Sequence, residues 1–438
     1  MKFMQNNKQF HAWYMVAILS VVHGIAILDR FLVGIVAEAL KAEMLLSDAQ
    51  LGFIMGPAFL IFYCCFAVPM GLYADSFSRR ALIALGMCAW SLAGVAFATA
   101  ESFTMLVVAR SFVGMGEACL LPAAMSMISA CFPAAKLGRA ISLFSLGASL
   151  GKVVAFMGGG TFLAFLISLN PDARALFGVT PWRALFFYAV IPGLILAAVM
   201  FTVREPSREA AIESKLVLLK AALLQLKSNI RTYACLFVGG SAFAGMSLVL
   251  ASWAVSYFLR VHQLSVAEAG TLVGSISLLA GVSGTVTSGW LTDKLSARGV
   301  QSAPITVMAI FLLLIALFSL NFFFNAGNTT FAILGYGALQ FCLAAGPPAY
   351  LTGLQIVTPE NCRATVLSIA LVFVTLIGGS IGPTVVGVMT DRVFTDTDGI
   401  ASALTVASML FGLIGGATVI IGHKVFIQSR LKVSPIKV

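Results

Sequence analysis

Residues 71–80 read Gly-Leu-Tyr-Ala-Asp-Ser-Phe-Ser-Arg-Arg, and residues 289–294 read Gly-Trp-Leu-Thr-Asp-Lys. Each stretch ends an apolar segment long enough to cross a bilayer. Each is followed by basic residues, Arg79 and Arg80 after the first and Lys294 and Arg298 after the second. A glycine one turn before an aspartate lets two helices approach closely near a turn. The aspartate can then pair with a neighbouring helix end and with the arginines. A second correspondence, Arg139-Ala140 and Arg363-Ala364, opens the fifth and eleventh apolar segments at nearly the same separation. The chain therefore reads as two six-helix halves in the same orientation, related by an axis along the membrane normal.

Around these turns the apolar segments number twelve, at about 13–40, 49–73, 81–100, 104–131, 140–170, 182–203, 230–259, 267–291, 301–324, 330–357, 364–390 and 400–426. The 438 residues are 60% hydrophobic and 10% charged, with a mean hydropathy of +1.00. A soluble domain carries about 25% charged residues. Such a chain cannot hide its apolar surface in water, and it reads as an all-α polytopic membrane protein. The segments are too long, and lack the alternation, for a β-barrel. The expected organisation is an N-terminal bundle at 1–203, a cytoplasmic linker at 204–229 and a C-terminal bundle at 230–438. In the linker, Leu216, Leu219, Leu223 and Leu226 recur at helical spacing among lysines, which predicts an amphipathic helix on the membrane surface.

A net charge of +10 invites a nucleic-acid partner, but the placement of the charges excludes one. With Met1 inside the cell, only Lys41, Arg174, Arg183, Arg260 and Arg392 fall outside. Arg30, Arg110 and Lys152 lie within helices, and the rest of the 27 basic residues are inside. This asymmetry predicts a multi-pass protein of the cell membrane, of the bacterial inner-membrane type, with both termini cytoplasmic. The first segment has no small-residue cleavage site, so it is expected to stay as an anchor. The eight cysteines show no metal-ligand spacing, and no metal or cofactor is expected.

Charges inside the apolar segments are few, and all lie in the first half. Asp29 and Arg30 sit deep in the first segment, Arg110 and Glu117 in the fourth, and Lys152 in the fifth. Each costs roughly 2.5–3.5 kcal/mol at a helix centre unless it faces a cavity or a partner. Arg110 and Glu117 are about two turns apart on one helix face. If the first and fourth helices touch, two acids and two bases form one network. Opening and closing a cavity around Asp29 and Glu117 would change their protonation, so these are the candidate proton-coupling residues. Arg30 and Arg110 are candidates for an anionic phosphate, which a guanidinium fork suits, and Lys152 is a third candidate cation. A buried ion-pair network that only fixes two helices is the structural alternative. His23 does not share a face with Asp29 and is read as a hydrogen-bonded structural histidine. Helices seven to twelve carry no acid or base centrally. A cavity between such halves would be charged on one wall and apolar on the other, which suits an amphiphile. Gly71, Asp75, Arg79 and Arg80, echoed by Asp293, are the expected cytoplasmic gate.

These motifs resemble the major facilitator superfamily over essentially the whole chain. The match is carried by the 71–80 loop, by Arg110-x-x-x-Gly114-x-Gly116, by Gly147-x-x-x-Gly151, and by Ile191-Pro192-Gly193 through Arg204-Glu205-Pro206. Ser76 and Ser78 depart from the usual basic residue and glycine, and Lys152 stands where many members have proline. Within the superfamily the chain is most similar to the spinster group. The residues are Leu28-Asp29-Arg30-Phe31, Gly114-Met115-Gly116-Glu117-Ala118, Ile381-Gly382-Pro383 and Gly387 through Asp391. The resemblance implies a twelve-helix secondary transporter working by alternating access on lysophospholipids or sphingosine phosphate. Proton coupling and a monomer are also expected. Organic-anion symporters of the superfamily share parts of the first- and fourth-helix patterns, so a hexuronate carrier is the alternative. A non-transporting membrane sensor is a further rival. No ATP-binding loop, HExxH or nucleophile–base set is legible, so the chain does not read as an enzyme.

Overall fold

The computed structural model describes residues 2–169, 178–206, 215–324, 327–359, 362–396 and 398–433. Among them the chain is helical with no strand. Twelve helices are long and apolar enough to cross a membrane. The first six are α1 (Gln9–Met44), α2 (Asp48–Ala74), α3 (Arg79–Ala98), α4 (Phe103–Cys131), α5 (Lys136–Leu169) and α6 (Pro181–Thr202). The last six are α7 (Ile230–Arg260), α8 (Val266–Ala297), α9 (Ala303–Phe322), α10 (Thr329–Ile356), α11 (Thr365–Arg392) and α12 (Gly399–Ile421). Many side chains on these spans are apolar and exposed, among them Leu85, Leu92, Leu410, Leu413 and Ile414. Lipid, not water, satisfies such a surface. The chain is a multi-pass membrane protein.

Local chemistry sets where the spans start and bend. Ser47 and Gln50 form a reciprocal capping box at α2, and Ser78 and Ser102 accept the free N–H groups that open α3 and α4. Gly56 followed by Pro57 interrupts α2, because proline cannot donate into the preceding turn. The α4 helix is interrupted just after Glu117. Two π-helical turns, Val154–Gly158 in α5 and Thr375–Gly379 in α11, fall at corresponding places in the two halves. The internal repeat read in the loops thus extends to backbone irregularity in the spans.

The chain forms two compact units. One holds α1–α6 together with Leu264–Ser275, which includes the start of α8, and the other holds the linker helix, the rest of α8 and the other spans. In the first unit, α5 lies directly on α1. A methyl group at Gly147 would overlap the carbonyl oxygen of Ser20, and one at Gly151 that of Gly24. Gly114 likewise lets α4 meet the backbone of α2 at Phe59. These contacts lay α5 along α1 and α4 along α2. In the second unit, Gly378 and Gly382 let α11 press on Ser241 and Gly245 of α7. The indole of Trp253 donates to the Pro383 carbonyl at 3.0 Å.

The linker helix spans Lys215–Ser228. Ala222 is buried, and Gln225 reaches the Tyr233 hydroxyl and the Val357 carbonyl. Leu219, Leu223 and Leu224 are exposed and Leu226 is half-buried, while the side chain of Leu216 lies outside the described residues.

Candidate functional site

The charged residues of α1 and α4 meet on a floor of two aromatic rings from α2. A guanidinium N–H of Arg30 donates to Glu117 Oε2 at 2.7 Å. The Glu117 side chain is 1% exposed and that of Arg30 is 20% exposed. The guanidinium carbon of Arg30 lies 4.4 Å from the Phe59 ring centre and 5.1 Å from that of Tyr63. Arg110 is buried. It sits 5.2 Å from the same Phe59 ring and donates to the Arg30 backbone carbonyl at 3.4 Å. Asp29 is buried beside them, within electrostatic reach of both Glu117 and Arg110. The rings hold the cations where water is scarce, as cation–π contacts do when desolvated.

This cluster is not fully satisfied internally. Glu117 Oε1, Arg30 Nε and Arg110 Nε are buried with no hydrogen-bond partner. An unpaired buried polar atom is costly, and here one acceptor and two donors share that state. Lys152 is half-buried and has its ammonium 5.8 Å from the Phe31 ring centre. No acid pairs with it among the described residues. It ends the α-helical turn just before the π turn of α5. His23 stacks on Phe144 at 4.5 Å and meets its carbonyl at 3.4 Å.

Phe59 and Tyr63 were not legible as site residues. They sit in a segment, Pro57–Ser76, that is apolar all round, and nothing in its periodicity separates a ring under a guanidinium from a ring in lipid.

A second cluster joins the start of α3 to the end of α6. The backbone N–H of Arg79 donates to Glu205 Oε1 at 2.8 Å and its side-chain Nε to the same oxygen at 3.4 Å. Ser78 also donates to the Glu205 carboxylate. The Arg79 side chain reaches Ser126 Oγ at 3.1 Å and the Pro206 carbonyl at 2.5 Å. Arg80 donates to the carbonyls of Phe201 and Val203 at 3.2 and 3.1 Å. The sequence reading gave these arginines to Asp75, whose side chain lies outside the described residues. Glu205 takes Arg79, its carboxylate sitting at the free N–H groups and positive end of α3. Burial would raise the Glu205 carboxyl, but the hydrogen bonds from Ser78 and Arg79 outweigh it and hold it below the usual carboxylate range.

The close approach expected at Gly71 is absent in this conformation. A methyl group there would make only ordinary contact with Pro122, at 3.7 Å. In the echo, Gly289 faces open space and Asp293 is exposed. The tight glycine contacts lie deeper in the bundles, where spans cross, not at the loop.

Residues 19–383 match the Major Facilitator Superfamily. The chain is 27% identical over 91% of its length to an MFS-type efflux pump of Mycolicibacterium smegmatis, covering 90% of that protein. It is 24% identical over 83% of its length to a probable L-galactonate transporter of Escherichia coli, covering 80% of it. It is also 24% identical over 87% of its length to protein spinster homolog 1 of Xenopus tropicalis, covering 74% of it. Among solved structures, it superposes on a bacterial homolog of the human lysosomal transporter spinster, in an inward-facing and unoccupied conformation. The TM-score is 0.79 at 24% identity, covering 97% of this chain and 99% of that one. The twelve spans, the repeated halves and the match across most of the sequence lead to one assignment: the chain belongs to the Major Facilitator Superfamily of transporters, a non-enzyme class, and is related to the spinster proteins within it.

Proposed function

We propose that this transporter moves an amphiphilic anion, a lysophospholipid or a sphingosine-phosphate-like lipid, by alternating access of its two bundles coupled to protons. The observation that carries this reading is the 2.7 Å pair of Arg30 with Glu117, set among apolar spans with Glu117 Oε1 and two guanidinium nitrogens unpartnered. A carboxylate holds a guanidinium; a protonated carboxyl holds it far less. Proton uptake at Glu117 or Asp29 therefore frees Arg30 and Arg110 for an anionic headgroup, with Lys152 adding a third cation. Arg30 is suited to phosphate because its fork geometry is rigid and always charged. The aromatic floor of Phe59 and Tyr63 keeps that fork in place while its partner changes.

The lipid part of the reading rests on where charge is missing. The spans α7–α12 carry no acid or base in their central portions, so the greater part of the substrate is apolar. Gly71, Asp75, Arg79, Arg80 and Asp293 belong to the gate in this reading, together with Glu205. The protein works as a monomer in the cell membrane, with both termini in the cytoplasm. The linker helix rests its exposed leucines on the same leaflet.

Flux of labelled lysolipid into proteoliposomes, with and without a pH gradient, tests the proposal. Faster movement of lysolipid under the gradient supports it. A second reading, a small sugar-acid symporter, is favoured by the likeness to the L-galactonate transporter. Gradient-driven uptake of galactonate without lysolipid movement would establish that reading instead.

A further inference from the structure

In the second unit, α9 and α12 are pinched together at their middle, and nearer one end both line a groove. At the pinch, a methyl group on Gly412 would meet the Leu312 carbonyl at 2.6 Å and one on Gly415 the Leu312 side chain at 3.2 Å. One to two turns away the helices enclose a groove of about 610 Å³, within the range of small-molecule pockets. Its walls are Ile305 and Ala309 from α9 and Val419 and Ile420 from α12, with Thr306 and Lys424 at its polar end. Ile420 and Ile421 are 52% and 78% exposed.

The polar end is built as well as charged. His423 Nε2 meets Ser302 Oγ at 2.6 Å, and Arg430 donates to the Gln301 carbonyl at 2.5 Å. These bonds tie the helix His423–Val433 to the start of α9 and leave the exposed Lys424 at the mouth of the groove. Lys294 and Arg298 are exposed on the same connection between α8 and α9, where Asp293 is the acid among the described residues. An apolar slot that opens to the membrane, ends at the water interface and carries a basic rim matches an acyl chain joined to an anionic headgroup.

We propose that the groove between α9 and α12 binds an acidic phospholipid of the surrounding bilayer, its chain along Ile305, Ala309 and Ile420 and its phosphate at Lys424. This site uses none of the α1, α4 or α5 charges. A neutral lipid of the same chains lacks the partner for Lys424, and a free phosphate lacks the partner for the groove.

Native mass spectrometry of the delipidated full chain tests this with phosphatidylglycerol and phosphatidylcholine of equal chain length. The wild type should retain phosphatidylglycerol about fivefold better, the scale expected of one basic residue at the membrane surface. Lys424→Gln should bring the two lipids level. Ile420→Trp should reduce retention of both by blocking the groove. Both positions are exposed, so folding is preserved, and an unchanged melting temperature in detergent checks it. Equal retention of the two lipids by the wild type would overturn the proposal, as would unchanged retention in either variant. Displacement of phosphatidylglycerol by millimolar glycerol phosphate would also overturn it, showing a site for a free anion.

Discussion

Arg30 and Glu117, 87 positions apart in the chain, meet at 2.7 Å across α1 and α4, and the carboxylate end of that bond is all but closed to solvent. Removing one partner of a buried pair strands the other, at a cost of about 3–5 kcal/mol. Arg30→Ala should therefore lower the melting temperature more than the double variant Arg30→Ala/Glu117→Ala. A single variant as stable as wild type would mean the pair contributes nothing to the fold.

Glu117→Gln keeps the shape and an acceptor oxygen but removes the exchangeable carboxyl proton. Asp29→Asn does the same on α1. Each variant should reach the membrane folded, and transport should lose its dependence on the pH gradient. Gradient-stimulated flux that persists in both removes these residues from proton coupling.

Lys152 has a ring beside it and, among the described residues, no acid paired with it. Lys152→Met should leave stability within about 1 kcal/mol, the ordinary range for a residue outside a buried paired network. It should also raise the KM for an anionic lipid without a matching fall in kcat. An unchanged KM would show that the ammonium does not meet the headgroup.

Glycines separate into crossings and open faces. Gly151→Ala places a methyl group into the Gly24 carbonyl, whereas Gly281→Ala and Gly289→Ala meet nothing within 4 Å. Gly151→Ala should cost about 1–3 kcal/mol through overpacking. The other two should be neutral or gain about 0.5–1 kcal/mol from helix propensity. Thermal unfolding in detergent measures all three.

The Glu205 carboxyl is held below its ordinary value: burial opposes this, and the hydrogen bonds from Ser78 and Arg79 prevail. A carboxyl depressed in the fold stabilises it above the unfolded pKa and stops doing so as pH falls through the folded value. The α3–α6 contact should therefore be full near pH 7 and weaken below the usual carboxylate range. Amide hydrogen exchange at Arg79 should rise as pH is lowered through that window, after correction for the intrinsic rate. Glu205→Gln should show raised exchange throughout and no such step. The effect is about 1 kcal/mol or less, since the pair is partly exposed.

Composition and spacing were enough for the twelve spans and the repeated halves. A run of twenty apolar residues has one stable arrangement in lipid, so the helices follow from hydropathy alone. The charges of the α1–α4 cluster were also legible, because an ionised group inside an apolar span must be accounted for wherever it falls. Asp29, Arg30, Arg110 and Glu117 stand out against their surroundings before any coordinates are considered. The capping serines of α2, α3 and α4 act within a few residues of themselves and are local in the same sense.

Partnership was not legible. That Arg30 takes Glu117, that Phe59 and Tyr63 floor the pair, and that Glu205 at the end of α6 receives Arg79 all depend on which helix faces meet. Those faces are set by glycine crossings such as Gly147 on Ser20 and Gly114 on Phe59, where the absence of a side chain matters only if another backbone is there to fill the space. An apolar helix surrounded by apolar helices has no hydrophobic gradient to say which side turns inward. Close packing makes that choice, and the chemistry of the site comes with it.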